Sequence, residues 1–213
     1  MRDAEPEHYF SPQPSSPSAE TELRVELRGR AFRFRTDAGV FSPHFVDRGT
    51  RLLLRALPLP VEGDILDWGA GYGPLGIVVA ALSPAARVTM VEVNERAAGL
   101  ARTNAELNQV SNAEVLVGDA FHVLGDREFD AILTNPPIHA GKPVVTALIE
   151  DSRRRLKEDG EFWMVVRTQD GAKSYLRLLQ ALFARVSLED MRGGYRAFRA
   201  LVGGGEQVPG KSV

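Results

Sequence analysis

The tetrapeptide Asn135-Pro136-Pro137-Ile138 carries the most specific chemistry in this 213-residue sequence. It follows an apolar run at residues 129–134, so it stands at the predicted carboxyl end of a strand. The two prolines lack backbone N–H groups and keep the residues before them out of the helical region. The Asn135 side chain and the carbonyls of Asn135 and Pro136 then form a rigid set of hydrogen-bond acceptors. Such a set suits an –NH₂ group, which has two hydrogens to donate and one lone pair to expose.

A glycine-rich turn follows another predicted strand, at residues 64–68. Gly69 and Gly71 would let the backbone approach a ligand lying over a helix N-terminus. Asp67 stands two residues before this turn, where its carboxylate would repel a pyrophosphate and attract an ammonium group. Pro74 removes a backbone donor that a pyrophosphate would use. The turn therefore favours a cofactor with a cationic end over a dinucleotide.

Two more acids stand at the ends of the next two predicted strands. Glu92 lies roughly 20 residues beyond the turn, the spacing at which an acid accepts both hydroxyls of a ribose. Asp119 is placed to accept from an adenine amino group, with Ala120 or Phe121 covering the ring. Glu92 has an alternative role as a solvated strand end, and Asp119 as the N-cap of a short helix. Three acids at three successive strand ends favour a nucleoside-type cofactor at the carboxyl edge of a sheet.

The two motifs together predict methyl transfer from S-adenosylmethionine to an exocyclic amine. Because the sulfonium is already a strong leaving group, the protein has mainly to align the nitrogen. Acceptance of both N–H bonds by Asn135 Oδ1 and the Pro136 carbonyl favours a pyramidal nitrogen whose lone pair faces the methyl. Ile138 would supply an apolar floor for a planar substrate, and His139 could shuttle the proton or simply lie at the surface. The predicted catalytic residues are Asn135, Pro136, Pro137 and Ile138. The predicted cofactor contacts are Asp67, Gly69, Ala70, Gly71, Glu92, Val93, Asp119, Ala120 and Asn135.

Short apolar runs alternate with helix-spaced segments from residue 64 onward, which predicts an α/β fold with a Rossmann-like, doubly wound, mostly parallel sheet. The predicted strands are residues 64–68, 87–93, 113–117, 129–134, 161–166, 185–189 and 195–202. The predicted helices are residues 47–57, 75–82, 95–108, 143–156 and 171–183. Alternation at residues 23–28 and 31–36 around Gly29-Arg30 predicts a small N-terminal β-hairpin. We expect a flexible lead at 1–20, one domain at 21–202 with a head at 21–57 and a core at 58–202, and a disordered tail at 203–213.

The composition excludes several classes of protein. The chain has no cysteine, which excludes a disulfide scaffold, thiolate metal sites and a cysteine nucleophile, and which fits a cytoplasmic protein. No apolar stretch reaches the roughly 20 residues that span a bilayer, and the acidic N-terminus does not look like a secretory signal. We therefore expect neither a membrane nor a metal partner. The net charge of −2 offers no general attraction for nucleic acid, so RNA binding would need local arginines. The candidates are Arg28, Arg30, Arg33 and Arg35 in the hairpin and Arg153, Arg154 and Arg155 at a helix end. For these last three, a solvated helix end where cations complement the macrodipole is the favoured interpretation.

Four stretches of the chain resemble class I S-adenosylmethionine-dependent methyltransferases. They are Asp67-Trp68-Gly69-Ala70-Gly71-Tyr72-Gly73, Glu92-Val93-Asn94, Asp119, and Asn135-Pro136-Pro137-Ile138-His139-Ala140-Gly141-Lys142. With the segments at residues 8–11, 36–42, 47–54 and 194–196, they are similar more narrowly to the catalytic domain of the ribosomal RNA small-subunit guanine-N2 methyltransferases. The resemblance covers about residues 8–202. The glycine turn departs from the usual family pattern at Trp68 and Ala70.

The resemblance implies a seven-stranded sheet whose last strand is antiparallel, S-adenosylmethionine as the cofactor, and RNA, in particular ribosomal RNA, as the substrate. It also implies that residues 41–42 and 47–50 fold over the cofactor, and that a guanine within a duplex must be flipped out. We expect a monomer or a weak homodimer. Three alternatives remain: a protein glutamine N5-methyltransferase, a nicotinamide-dependent oxidoreductase, and a non-catalytic cofactor-binding or RNA-binding module.

Overall fold

A computed structural model describes residues 17–203, so the predictions for residues 1–16 and 204–213 lie outside the described part. The strands are β1 (Thr21–Leu27), β2 (Arg30–Thr36), β3 (Gly63–Trp68), β4 (Ala86–Glu92), β5 (Ala113–Val117), β6 (Phe129–Thr134), β7 (Leu156–Arg167), β8 (Arg185–Arg192) and β9 (Tyr195–Leu201). The helices are α1 (Arg48–Ala56), α2 (Pro74–Leu82), α3 (Glu95–Leu107), α4 (Ala120–Val123), α5 (Lys142–Arg155) and α6 (Ala172–Leu182).

Seven strands form one sheet in the order β5-β4-β3-β6-β7-β9-β8. The strands from β5 to β7 are parallel, and β9 runs antiparallel to both of its neighbours. This confirms the predicted doubly wound sheet with an antiparallel last strand. The carboxyl ends of β3, β4, β5 and β6 meet at one edge, where the strand order reverses between β3 and β6. Open sheets of this kind bind ligands at that point.

Two strands extend further than the pattern predicts. The strand β7 begins at Leu156, because this residue already pairs with Phe129 on the other side of a bulge. The strand β8 continues to Arg192, because it forms a hairpin with β9 through the glycine turn at Gly193 and Gly194. Both extensions depend on pairing with neighbouring strands, and the spacing of apolar residues along the sequence does not indicate such pairing.

The N-terminal hairpin is present, but its turn lies one residue earlier than predicted. Leu27 pairs with Arg30, so the turn residues are Arg28 and Gly29, with φ angles of 54° and 77°. A two-residue turn with positive φ at both positions matches the twist of the flanking strands, and glycine adopts such angles easily. The hairpin packs on the domain through buried Phe34, whose ring meets Tyr72 at a centroid distance of 6.0 Å.

The helix α1 brings the head segment to the carboxyl edge of the sheet. Asp47 caps this helix, because its Oδ2 accepts from the backbone N–H groups of Gly49 (2.7 Å) and Thr50 (3.3 Å). A Cβ on Gly49 would lie 2.8 Å from Asp47 Oδ2 and 3.1 Å from Tyr195 Cε1. Glycine therefore allows the first turn of α1 to lie directly against β9.

The core consists of two apolar clusters, one on each face of the sheet. One contains the inner residues of the hairpin, α1, α2 and α3, and the other contains those of α5 and α6. Successive residues of β3, such as Ile65 and Leu66, point into opposite clusters. Within residues 17–203, none of the helices has the length and apolar character to cross a membrane. The same residues contain no group of three or more His, Asp or Glu side chains able to hold a metal ion.

Candidate active site

A cavity of about 400 Å³ opens at the carboxyl edge of the sheet. Its wall includes eight of the predicted site residues: Gly69, Gly71, Glu92, Val93, Asp119, Ala120, Asn135 and Pro137. The remainder of its wall is mostly apolar and comes from the head segment, β3, α3, α4 and α5. The sheet thus brings together residues that are up to 68 positions apart in the sequence. A mostly apolar cavity with a few convergent polar groups is typical of a small-molecule site.

A narrower cavity of about 30 Å³ adjoins the first, because Phe41, Gly69, Gly71 and Asn135 line both. Two predicted cofactor contacts, Asp67 and Ala70, lie in this second space rather than in the larger one. It is completed by residues of the head segment, namely Ser42, Asp47 and Thr50, and by Tyr72, Pro74 and Leu75. A ligand that reaches Asp67 must therefore extend one end past the glycine turn.

Asp67 is buried under the glycine turn, with 1% of its surface exposed. Its Oδ2 accepts from the backbone N–H of Gly76 at 2.8 Å, and no cationic side chain within residues 17–203 forms an ion pair with it. The pKa of Asp67 is raised to about 7, mainly because burial disfavours the charged carboxylate. The hydrogen bond from Gly76 lowers this pKa, and the negative charge of Glu92 raises it further. A buried carboxylate without a cation beside it is well suited to receive an ammonium group from a ligand.

Glu92 is also buried, with 8% exposure, so its alternative role as a solvated strand end is wrong. Its Oε2 accepts from Gly71 N at 2.8 Å, and its Oε1 accepts from Asn94 N at 2.8 Å. Burial raises the pKa of this carboxyl, while the backbone N–H groups act in the opposite direction. The backbone N–H of Val93 acts on this carboxylate as well, and the two oxygens retain acceptor capacity for a ligand hydroxyl in the cavity.

Asp119 has its predicted alternative role at the start of a short helix, and it also lines the large cavity. It is the N-cap of α4, because its Oδ1 accepts from Phe121 N at 3.0 Å. The side chain is about half exposed and also lines the large cavity. The ring of Phe121 meets Trp68 edge-on at 5.3 Å, and both rings form part of the cavity wall. The large Trp68 side chain therefore fits at this position by forming part of the wall of the large cavity together with Phe121.

The side-chain amide of Asn135 is held by the head segment. Its Nδ2 donates to Asp47 Oδ2 at 3.0 Å and to Thr50 Oγ1 at 3.2 Å. Because a carboxylate only accepts hydrogen bonds, Asp47 selects the orientation in which the –NH₂ group faces α1. Both amide hydrogens are thereby used, and Oδ1 remains as an acceptor between the two cavities that Asn135 lines.

The two prolines form a tight turn after β6. The Pro136 carbonyl accepts from Ile138 N at 2.8 Å across Pro137, whose φ of −74° and ψ of 77° define an inverse γ-turn. The second lone pair of this carbonyl stays available. Ile138 packs against the apolar cluster of α5 and α6 and lines neither cavity, so the apolar floor that we predict from Ile138 comes instead from Pro137 and Val144. Pro136 is buried and lines neither cavity through its ring.

Some residues of the site are not predictable from the sequence pattern. Asp47 and Thr50 appeared only within a head motif, with no sign that they bind the Asn135 amide. The apolar wall formed by α5 is not predictable either, since its residues read as ordinary helix core. The head segment does reach the site, because Phe41 lines both cavities and Ser42 the narrower one.

Comparison with known proteins identifies the family. The model of the methyltransferase small domain matches residues 31–199. The chain is 43% identical over 196 residues to the uncharacterized protein YbxB of Bacillus subtilis, covering 91% of this chain and 98% of that protein. It is 40% identical over 132 residues to ribosomal RNA small subunit methyltransferase C of Actinobacillus succinogenes, covering 60% of this chain and 39% of that protein.

A solved structure extends the comparison to the fold and the cofactor. The 16S rRNA N2 methyltransferase RsmC of T. thermophilus, in complex with AdoMet and guanosine, matches with a TM-score of 0.78 and 30% identity. The match covers 87% of this chain and 51% of that one, so the chain spans about half or less of these RNA methyltransferases and nearly all of YbxB. The chain belongs to the methyltransferase small domain family and is an S-adenosylmethionine-dependent enzyme with the class I methyltransferase fold.

Proposed function

We propose that this protein methylates an exocyclic amine of RNA, and that its substrate is guanine N2 in ribosomal RNA. One observation carries the proposal: both hydrogens of the Asn135 amide are engaged by Asp47 and Thr50, so its Oδ1 is presented as an acceptor beside the cavity. With the Pro136 carbonyl, an acceptor fixed in this way matches the two hydrogens of an –NH₂ group, whereas a hydroxyl has only one hydrogen to donate. The named relatives methylate ribosomal RNA, which supports RNA as the substrate class.

The cavity walls suit S-adenosylmethionine. In our proposal, the Asp67 carboxylate receives its ammonium group, Glu92 accepts the two ribose hydroxyls, and Asp119 accepts from the adenine amine. Gly69, Ala70, Gly71, Val93 and Ala120 provide the close backbone and apolar surroundings, and the buried carboxylates are compensated when a cation and two donors arrive. The cofactor supplies an electrophilic methyl group on a sulfonium.

The remaining steps belong to the chain itself. Asn135 Oδ1 and the free lone pair of the Pro136 carbonyl accept the two N–H bonds of the target amine, which turns its lone pair toward the cofactor. The apolar wall at Pro137 and Val144 would cover a planar base and exclude water. Attack of the nitrogen on the methyl group leaves a positive charge on that nitrogen. A side-chain base is not needed, because this cationic form of an aromatic amine is a strong acid that gives its proton to water.

We propose that a single chain is sufficient for this reaction, since one chain builds both cavities and every contact of Asn135. A substrate in ribosomal RNA places the reaction in the cytoplasm, where ribosomes are assembled.

The test is the transfer of tritium from labelled S-adenosylmethionine into RNA and protein fractions of cells that lack this protein. We expect label in ribosomal RNA, and nuclease digestion should release it as N2-methylguanosine. Label in the protein fraction alone, recovered as N5-methylglutamine, would contradict the proposal. Label in RNA at another nucleoside would keep the enzyme class and reject guanine.

The substitution Thr50→Val tests the orientation of the amide. Valine has nearly the shape of threonine but removes one of the two acceptors that hold Asn135 Nδ2. Because one hydrogen bond of about 1 kcal/mol is lost, we expect turnover to fall about five- to tenfold with unchanged affinity for S-adenosylhomocysteine. The control is Thr103→Val, which removes a hydroxyl that bonds within α3. Equal turnover in wild type and Thr50→Val would show that Asp47 alone orients the amide.

A further inference from the structure

Three of the four hairpin arginines that the sequence offers for RNA binding are engaged within the protein, and the fourth, Arg35, lies 4.0 Å from Glu20. Arg28 donates to the carbonyls of Leu54 and Arg55 at the end of α1, and Arg30 donates to Ala81 O at the end of α2. Arg33 pairs with Glu22 at 2.8 Å. Their donors stabilise helix ends and the hairpin, so this surface has few donors left for a phosphate backbone.

The three arginines at the end of α5 are engaged in the same way. Arg154 and Arg155 both pair with Asp151 at 2.6 Å, and Arg153 donates to Leu182 O. The structure therefore gives these side chains a role in joining α5 to its surroundings. The positive surface that meets a substrate has to be sought elsewhere.

A different basic group stands at the carboxyl edge, around Tyr195. Arg167 on β7 and Arg192 on β8 both pair with Tyr195 on β9 between them. Directly paired residues project from the same face of a sheet, so these three side chains form a row across three strands. The helix α1 packs on this face, and Arg48 in its first turn is close enough to affect the pKa of the Tyr195 hydroxyl. We call Arg48, Arg167, Arg192 and Tyr195 the Tyr195 cluster.

The Tyr195 cluster keeps its hydrogen-bond donors available. The guanidinium of Arg167 lies over the Tyr195 ring at 5.6 Å from its centroid, which positions the cation without using its N–H groups. In the part of the chain that the structure describes, no ion pair involves Arg48, Arg167 or Arg192. All three are exposed. Asp47 and Asp170 also act on the Tyr195 hydroxyl, but Asp47 is occupied by Asn135 and the backbone of α1.

The cluster adjoins the reacting site through a short chain of contacts. The Tyr195 ring lies against Gly49, and Asp47, two residues before Gly49, holds the Asn135 amide at 3.0 Å. A polymer whose amine is bound at Asn135 would thus pass over Tyr195 with its flanking units. Arginine presents a planar fork that matches the two oxygens of a phosphate, and three such forks on one surface fit a phosphodiester backbone.

We propose that the Tyr195 cluster binds the phosphates of the RNA strand next to the target nucleotide. The proposal rests on the proposed function, because it takes an amine at Asn135 as the point from which the strand continues. It assigns substrate docking to the β7–β9–β8 edge and away from the N-terminal hairpin. The cluster contributes affinity for the strand and leaves the choice of base to the cavity.

The test compares the double variant R167Q/R192Q with the matched control R185Q. Arg185 is also exposed and also lies on β8, but it is the first residue of that strand, whereas Arg192 is the last. R185Q therefore removes the same kind of charge at the end of β8 that is far from the Tyr195 cluster. The binding of a labelled single-stranded RNA is measured by fluorescence anisotropy at several salt concentrations. Affinity for S-adenosylhomocysteine and the melting temperature report whether each variant is folded.

We expect R167Q/R192Q to bind the RNA about tenfold more weakly at near-physiological salt, with a salt slope smaller by about 1.4, as for two lost phosphate contacts. The KM for RNA should rise far more than kcat falls, and R185Q should match wild type. Equal RNA affinity in wild type and the double variant would overturn the proposal, and so would an equal loss in R185Q. A wild-type protein that binds acidic peptides and no RNA would overturn it too. RNA binding that depends on the cluster, without methyl transfer to RNA, would instead reject the proposed function.

Discussion

Replacing Asn135 by alanine is expected to lower the turnover of methyl transfer by about a thousandfold, the scale seen when a preorganised hydrogen-bonding group is removed from an active site. The reason is geometric. Oδ1 is held in place by two hydrogen bonds on the other end of the same amide, to Asp47 and Thr50. Without it, the target amine loses one of its two acceptors and the alignment of its lone pair.

The same substitution should leave cofactor affinity within about threefold of wild type. Asn135 is only one of the predicted cofactor contacts, and the three acids among them lie on other strands. Affinity is measured by calorimetry with S-adenosylhomocysteine and turnover by labelled methyl transfer. The control is Gln180→Ala, which removes a side-chain amide from the exposed surface of α6. A variant N135A with near wild-type turnover would mean that Asn135 is structural, and the proposed arrangement of the amine would fail.

Replacing Asp67 by asparagine is expected to weaken S-adenosylhomocysteine binding about 100-fold, as for loss of one partner of a buried charged pair. The amide oxygen can still accept from Gly76 N, so the turn should keep its conformation. The amide presents no negative charge to an ammonium group. Because burial already disfavours the carboxylate, the unliganded variant should melt at or above the wild-type temperature at pH 7.5.

The pH dependence of binding provides an independent test of Asp67. Burial raises its pKa to about 7 in the free protein, and a cation beside it would lower that pKa again. Binding below pH 7 therefore requires loss of a proton. Wild-type affinity should increase about tenfold per unit as the pH rises from 5.5 toward 7 and then level off. The measurements stop at pH 7.5, where the amino group of the ligand is still protonated.

In Asp67→Asn the part of this dependence that comes from Asp67 should disappear, leaving only what Glu92, whose pKa burial also raises, contributes. The matched control is Asp64→Asn, at the other end of β3, where the native carboxylate pairs with Arg87 and Lys157 and lines neither cavity. D64N should keep both the wild-type affinity and its pH dependence. If D67N retained full affinity, the ammonium group would have to bind elsewhere.

The fold was predictable because its signals are local. Alternation and helical spacing identified the strands and helices of the sheet, and successive strand ends carried Asp67, Glu92 and Asp119. The family resemblance supplied the antiparallel last strand. The predicted boundaries were wrong where pairing between strands sets the end of an element, as in the hairpin turn at Arg28 and the early start of β7. A one-residue shift in a turn changes no periodicity, so the sequence pattern carries little information about it.

The arginines also show the difference between what local sequence indicates and what long-range contacts decide. Their number and positions are visible in the sequence, and their clustering in the hairpin indicated an RNA-binding surface. In the structure, Arg28 and Arg30 bind carbonyls at helix ends, while Arg167 and Arg192 meet across β9. Which cations remain available depends on the acceptors that the fold brings near them.

The sequence by itself determined the element order, the acids at the strand ends and the acceptor chemistry of Asn135 and Pro136. These features follow from residue type, from the φ limits of proline and from short-range periodicity. Only the tertiary structure decided that Asp47 and Thr50, 88 and 85 positions away, orient the Asn135 amide, and that Asp67 is buried deeply enough to carry a pKa of about 7. Hydrogen-bond direction and desolvation depend on atoms that packing brings together from distant segments, and such distances are not encoded in local spacing.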